Sequence, residues 1–493
     1  MTTSHKTSRK RLGIIGGLGA LAGADVYFKL MRTVTQRGGM ENDDILFEQH
    51  PFDGDDHSAK ASPDLNGRKL YIFDMMKQFE GRQIDSVLVP CFISHTFLDE
   101  LEAELALPVV NIMHALLQHL RSALPSSHKI GVLTSDYVKK NQLFERYFEK
   151  QDYVLVYPNL EIQDACVMQA IYGVNGIKTG NLQGDALDLL QKACENLMEQ
   201  GVDVIIPGAT EIAIVAEALR HRGIPILDAN QAYVDYALTH DETVRPSSYK
   251  IGIIGGVGPA ATVDFMEKII KNTDARRDQD HIKLIVEHNP KIPDRTANLI
   301  AGGEDPTLAI YAACKRLEAN DAAVIAIPCN TAHAYVARIQ PYLSIPIVNM
   351  LFETISFIRH HHSEQSQVGL LATTGTISSR VYHDAARGAH FDLMVPDDAH
   401  QDQLMRAIYG EKGIKAGYLE GECLEDLMQA LRHLVRRGAT VVILGCTELP
   451  LLLSQTTDFF IDGKRVALLD PTEILARRCV SLSEENAQLT HQH

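Results

Sequence analysis

The sequence predicts an α/β protein built twice over, with parallel sheets buried on both faces in each half. Three observations predict it. Short apolar runs rich in β-branched residues alternate with longer amphipathic stretches along the whole chain. Those runs lack the in–out alternation of half-exposed strands, as strands covered on both faces do. Finally, the pattern recurs. Leu12-Gly-Ile-Ile-Gly-Gly-Leu-Gly19 returns as Ile251-Gly-Ile-Ile-Gly-Gly-Val-Gly258, and Val89-Pro-Cys91 as Ile327-Pro-Cys329. Met168-Gln-Ala-Ile-Tyr-Gly173 returns as Met405-Arg-Ala-Ile-Tyr-Gly410, and Gly208-Ala-Thr-Glu211 as Gly445-Cys-Thr-Glu448. The spacing is 239 residues from Gly13 to Gly252, 238 from Cys91 to Cys329 and 237 from Tyr172 to Tyr409. A shift that steady is duplication of a whole domain, since solenoids repeat every ~20–50 residues.

The elements of the second copy follow in order. Lys250–Ile254 reads as a strand ending on paired glycines, and Ala260–Asn272 as the helix after it. Ile282–Glu287 is the next strand and Asp305–Glu318 the next helix. Ala323–Ile327 stops at Pro328, Ile345–Asn349 and Gln367–Ala372 follow, and helix Gly421–Arg437 leads into strand Thr440–Leu444. Each boundary falls on glycine, proline or small polar residues, the usual punctuation of α/β chains. The polar stretch 240–249 separates domain 11–240 from domain 250–480 and reads as the linker. The tail Ser481–His493 is polar and expected to fray.

Composition narrows the class. Of 493 residues, 45% are hydrophobic and 22% charged, the balance of a globular protein. A formal charge of −16 argues against nucleic acid and anionic membrane as partners, both of which need basic surface. No run approaches the ~20 apolar residues of a membrane span. Eight scattered cysteines without a CxxC pair suggest neither a zinc ribbon nor a redox dithiol, and fit free thiols in a cytoplasmic protein.

Two cysteines stand apart. Cys329 and Cys446 each follow an apolar strand run and precede a helix-like stretch, the end of an open sheet where ligands bind. A helix start there is expected to lower a thiol's pKa. Two such thiols facing across a cleft suit two-base proton transfer: one thiolate removes an α-proton and the other thiol returns one from the opposite face. The alternative is a pair of ordinary buried cysteines.

The motifs Pro328-Cys-Asn-Thr-Ala-His333 and Gly445-Cys-Thr-Glu448 are similar to those of the PLP-independent aspartate/glutamate racemase family, closest to its aspartate racemase branch. Asn289-Pro-Lys-Ile-Pro-Asp-Arg-Thr296, Gly369-Leu-Leu-Ala-Thr-Thr-Gly-Thr376 and Gly413-Ile-Lys-Ala-Gly417 fit as well. The resemblance covers the second copy and, weakened, the first. It implies two Rossmann-like subdomains per domain with the site between them, no cofactor and no metal. It also implies an acidic amino acid as substrate, Cys329 and Cys446 as the acid/base pair, and Arg295 as a bidentate clamp on the side-chain carboxylate. Lys415 becomes a second cation, Asn330, Thr331 and Ala332 a cradle for the α-carboxylate, and Thr447 and Glu448 the flank of the second cysteine. Related alternatives are a paired-cysteine isomerase of a dicarboxylic acid and a non-catalytic ligand-binding or regulatory protein.

Other signals weigh less. Gly256-Val-Gly-Pro-Ala-Ala261 matches a GxGxxA dinucleotide fingerprint, but Asp280 is poorly placed as its acidic partner, and a tight turn near the substrate is the preferred reading. His333 suits packing or capping as well as catalysis, and His360-His-His362 reads as a solvated helix end. In the first copy Ala209 replaces the second cysteine, Phe92-Ile93 replaces Asn-Thr, and a fixed offset puts Asp56 in place of Arg295. Lys178 survives. The first copy is therefore read as a degenerate domain serving as a built-in partner in a pseudo-dimer, or binding a different, cationic ligand. Further homo-oligomers stay open.

Overall fold

The apolar runs form strands, and among the described residues every strand pairing but one is parallel. The computed structural model describes residues 10–37, 44–50, 52, 63–242, 249–362 and 366–490. The chain divides into two units, 1–247 and 248–493.

In the first unit, β1 (Arg11–Ile15) lies between β2 (Asp44–Glu48) and β3 (Ser86–Leu88). A second sheet places β4 (Lys129–Thr134) between β5 (Val154–Val156) and β6 (Val204–Gly208). The central strands are buried almost throughout, which is why their sequences run Leu-Gly-Ile-Ile and Ile-Gly-Val-Leu without polar alternation.

The second unit repeats the plan with more strands. Its first sheet runs β10 (Ile347–Val348), β9 (Val324–Ala326), β7 (Lys250–Gly255), β8 (Lys283–His288) in spatial order. Its second runs β12 (Leu393–Met394), β11 (Val368–Leu371), β13 (Val441–Leu444), β15 (Lys464–Leu469), β14 (Thr456–Ile461). The six strands read from the sequence are all present. The hairpin β14–β15 was not anticipated: β15 joins β13 in parallel, while the largely exposed β14 caps the edge antiparallel.

Between strands lie the expected helices, Pro259–Asn272, Thr307–Ala319 and Glu422–Arg436. The tail expected to fray instead continues the helix Pro471–Thr490, because its first turns bury Leu475, Ala476 and Cys479 against the core. The triple histidine closes helix Met350–His361 with its rings at the exposed end, as read. Among the described residues no helix is long and apolar enough to cross a membrane.

Candidate functional site

In the second unit the two sheets deliver one cysteine each to a shared cavity. Cys329 follows β9 and Cys446 follows β13. Both line a cavity of ≈ 270 Å³ together with Arg295, Asn330, Thr331, Lys415, Thr447 and Glu448. Of the residues singled out from the sequence, only Ala332 stands outside. It is fully buried in the apolar cluster containing Ile327 and Tyr335, so its methyl packs rather than faces the cavity. Val257, Thr296, Thr373 and Tyr409 line the cavity without having been proposed as site residues. All four lie in motifs that recur or resemble, but nothing local tells which side chain of a motif points inward.

Cys446 sits in a polar relay. Its thiol donates to Glu448 Oε2 (2.9 Å), and Lys415 Nζ holds Glu448 Oε1 (2.7 Å). Burial pushes the Cys446 thiol well above its ordinary pKa, and the Glu448 carboxylate adds to this while Lys415 opposes it. Burial also works to raise Glu448, yet its carboxyl is held below the usual range because Lys415 and the thiol both favour the anion. Burial disfavours the Lys415 charge, but Glu448 and Cys446 more than offset it, and its pKa is raised. Lys415 also lies 5.3 Å over the Tyr409 ring.

The expected helix-start effect on the thiols is therefore corrected for Cys446. Only 3₁₀ turns follow the cysteines, Thr331–Ala334 and Leu449–Leu451. So short a turn aligns few peptide dipoles, and burial beside a carboxylate wins at Cys446.

Arg295 opens helix Arg295–Ala301, whose N-cap is Asp294. Its guanidinium donates to the carbonyls of Ile292 (3.3 Å), Pro293 (3.1 Å) and Val257 (3.2 Å). Burial disfavours its charge, but the neighbouring Cys329 sulfur and Asp294 more than compensate, so its pKa lies above the ordinary value. Three donors engaged by backbone leave less of the planar fork for a bidentate clamp than the sequence suggested, and bring its charge to Cys329.

Asn330 accepts from the Tyr382 hydroxyl through Oδ1 (2.6 Å), while its buried Nδ2 has no protein acceptor. A buried amide donor without an acceptor is costly unless a ligand completes it. Beside it, Thr331 Oγ1 lies 3.2 Å from Thr373 Oγ1 and 2.8 Å from Thr376 Oγ1, and Thr296 donates to Thr373 (3.1 Å). An orphan donor next to a hydroxyl cluster suits a carboxylate.

His333 resolves as structural. Met350 N–H donates to its Nε2 (3.2 Å), so Nδ1 carries the proton and donates to the Cys329 carbonyl (2.9 Å). Burial lowers its pKa, and the neutral ring pins the cysteine loop. His95 does the same at Cys91 in the first unit.

The glycine turn after β7 makes its close approach to Glu448. Gly258 has φ +132°, and a Cβ there would lie 2.6 Å from Glu448 Oε1. Asp280 pairs instead with Arg277 (2.9 Å) in an exposed turn. Among the described residues Asp397, His400 and His433 bring three possible metal-ligand atoms within 4.8 Å. Asp397 there already serves as N-cap, accepting from His400 N–H (3.0 Å).

The description Asp/Glu/Hydantoin racemase matches residues 15–237 and again 254–479. The chain belongs to this family, twice over. It is 28% identical over 239 residues to the broad-specificity amino-acid racemase of Bacillus subtilis (strain 168), spanning 47% of this chain and 96% of that protein. It is 29% identical over 173 residues to glutamate racemase of Shewanella sp. (strain MR-7), spanning 34% of this chain and 59% of that protein. Among solved structures it is similar to Picrophilus torridus aspartate racemase, at 29% identity, 48% of this chain, 94% of that chain and a TM-score of 0.42.

The first unit corrects one expectation. Asp56 lies outside the described residues, but the arginine thought lost there has a counterpart. Arg68, buried in helix Leu65–Glu80, places its Nη1 3.4 Å from Cys91 Sγ. Asp64 caps that helix as Asp294 caps the helix of Arg295, but Arg68 lies four residues past its cap and Arg295 one, so the two arginines approach their cysteines from different helix positions.

Proposed function

We propose that the second unit interconverts the L- and D-forms of an acidic amino acid, aspartate or glutamate, without a cofactor, by two-base exchange between Cys329 and Cys446. The observation that carries this reading is that two thiols from separate sheets line one small cavity with two cations, Arg295 and Lys415. Cys329, with the Arg295 guanidinium beside it, is assigned to take the α-proton. Cys446, held as a thiol by burial and Glu448, is suited to return a proton from the other side. The Asn330 amide and the threonine cluster receive the α-carboxylate, so negative charge developing at the α-carbon meets pre-placed donors. The Ala332 methyl packs in the core, so its place in that cradle rests on its backbone N–H.

Incubation with L-aspartate in D₂O, without pyridoxal phosphate, tests this. The expected result is D-aspartate carrying deuterium at the α-carbon. Absence of exchange with both aspartate and glutamate removes the reading. Turnover of an unsaturated diacid instead assigns the cavity to isomerisation by thiolate attack.

The acid role of Cys446 has its own check. Glu448→Gln removes a carboxylate that raises the thiol's pKa and leaves Lys415, which lowers it. Both changes have the same sign, so the alkaline limb of the kcat/KM profile is expected to move down by roughly one pH unit. An unmoved limb assigns that ionisation to another group.

A further inference from the structure

We propose that the cavity of the first unit is a second small-molecule site, one that holds a carboxylic acid with an apolar body and does not turn it over. The cavity is present at the same place in the fold as that of the second unit, between the ends of the two sheets and lined by the residues around Cys91 and Ala209. Its cationic side is retained. Arg68 and Lys178 both line it, Arg68 against the Cys91 sulfur at 3.4 Å and Lys178 at 3.7 Å from Glu211. The wall opposite has changed character. Where the second unit has Asn330, with its buried amide donor, and Thr331, with its hydroxyl cluster, the first has Phe92 and Ile93, both buried and both lining the cavity. Val138 stands in the place of Thr376 and Ala209 in that of Cys446.

These exchanges have a common direction. The Asn330 amide and the Thr331 hydroxyl are replaced by hydrocarbon, leaving Ser135 and Thr210 as the hydroxyls of the lining, which penalises a second charged group and favours an alkyl body. The guanidinium and ammonium still favour one carboxylate. With a single thiol, Cys91, and a methyl at Ala209, the second thiol of a two-thiol exchange is missing, so the α-carbon of a bound acid is not inverted by that route. The degenerate half is thereby a binding module for a monocarboxylate, not the cationic ligand suggested by the fixed offset.

Isothermal titration of the full-length chain with isovalerate tests this, alongside mass-spectrometric measurement of Cys91 alkylation by iodoacetamide. The expected result is saturable binding at one site per chain and slowed labelling of Cys91 when isovalerate is present. Ala209→Phe, which fills the cavity from its floor, is expected to weaken that binding at least 10-fold with the thermal unfolding curve preserved. Should the variant fail to fold, protection of Cys91 in the unaltered chain decides the matter alone. No saturable heat together with no protection overturns the proposal. So does protection by L-aspartate equal to that by isovalerate, because an intact polar cradle would then have survived the substitutions.

Discussion

Cys446→Ala and Cys329→Ala are each expected to lower the proposed racemisation by about 10²–10⁴-fold, the usual contribution of a positioned acid or base. The two losses are not expected to add, because one thiol without its partner completes neither direction of inversion. Stability should be little affected at Cys446, a small side chain whose loss frees Glu448 to stay paired with Lys415. The informative distinction lies in the α-proton. A variant keeping Cys329 retains a base on one face and can exchange the α-hydrogen of one enantiomer without inverting it. Chiral chromatography of the amino acid after incubation in D₂O separates these outcomes. D-product formed from L-aspartate at the unaltered rate by either variant removes the two-thiol mechanism.

Lys268→Met is expected to destabilise the second unit by about 3–5 kcal/mol, the range for breaking a buried ion pair from one side. Lys268 Nζ lies 2.5 Å from Asp470 Oδ2 and also pairs with Asp264 one turn earlier in its helix. Asp470 is almost wholly buried, and its other oxygen accepts Thr472 N–H (2.8 Å) at the start of helix Pro471–Thr490. Removing the ammonium strands that carboxylate in an apolar setting. Burial opposes the Lys268 charge, but Asp470 and Asp264 outweigh it and raise its pKa. A raised lysine pKa contributes stability that is complete below the unfolded value near ~10.4 and is lost as pH rises through the folded value. Urea unfolding measures the loss, and Asp470→Asn in the same chain should recover part of it, since the more deeply buried of the two stranded carboxylates is then neutral and only Asp264 has lost its ammonium. A loss below about 1 kcal/mol would class the pair with exposed ion pairs. The first unit keeps the same device: Lys29 pairs with Asp25 (2.7 Å) and Asp228 (2.9 Å).

That duplicated staple was invisible as a motif. Lys29 and Lys268 sit on amphipathic helices where a lysine ordinarily faces water, and their acidic partners lie about 200 residues away in Asp228 and Asp470. The hairpin β14–β15 escaped for a different reason. Thr456–Ile461 is mostly exposed or half-buried and breaks its in–out pattern at Thr457 and Asp458, where the register shifts, and gains its strand character by pairing with β15. The relay through Lys415, Glu448 and Cys446 was half legible. Its members were named, but their order, with Glu448 between a cation and a thiol, depends on side-chain directions.

What the sequence alone determined is whatever depends on local order: the α/β class, the duplication, six strands of the second copy and the two strand ends that carry Cys329 and Cys446. Continuous apolar runs and fixed spacings encode these directly, because burial on both faces and chain duplication leave marks within a few residues. Only the tertiary structure decided which neighbours each thiol meets. It turned the expected lowering of Cys446 into a rise, through burial beside Glu448. It returned an arginine to the first unit through Arg68, one helical turn past its Asp64 cap. Desolvation and charge pairing act through space at a few ångströms, and chain separation of hundreds of residues carries no record of that distance.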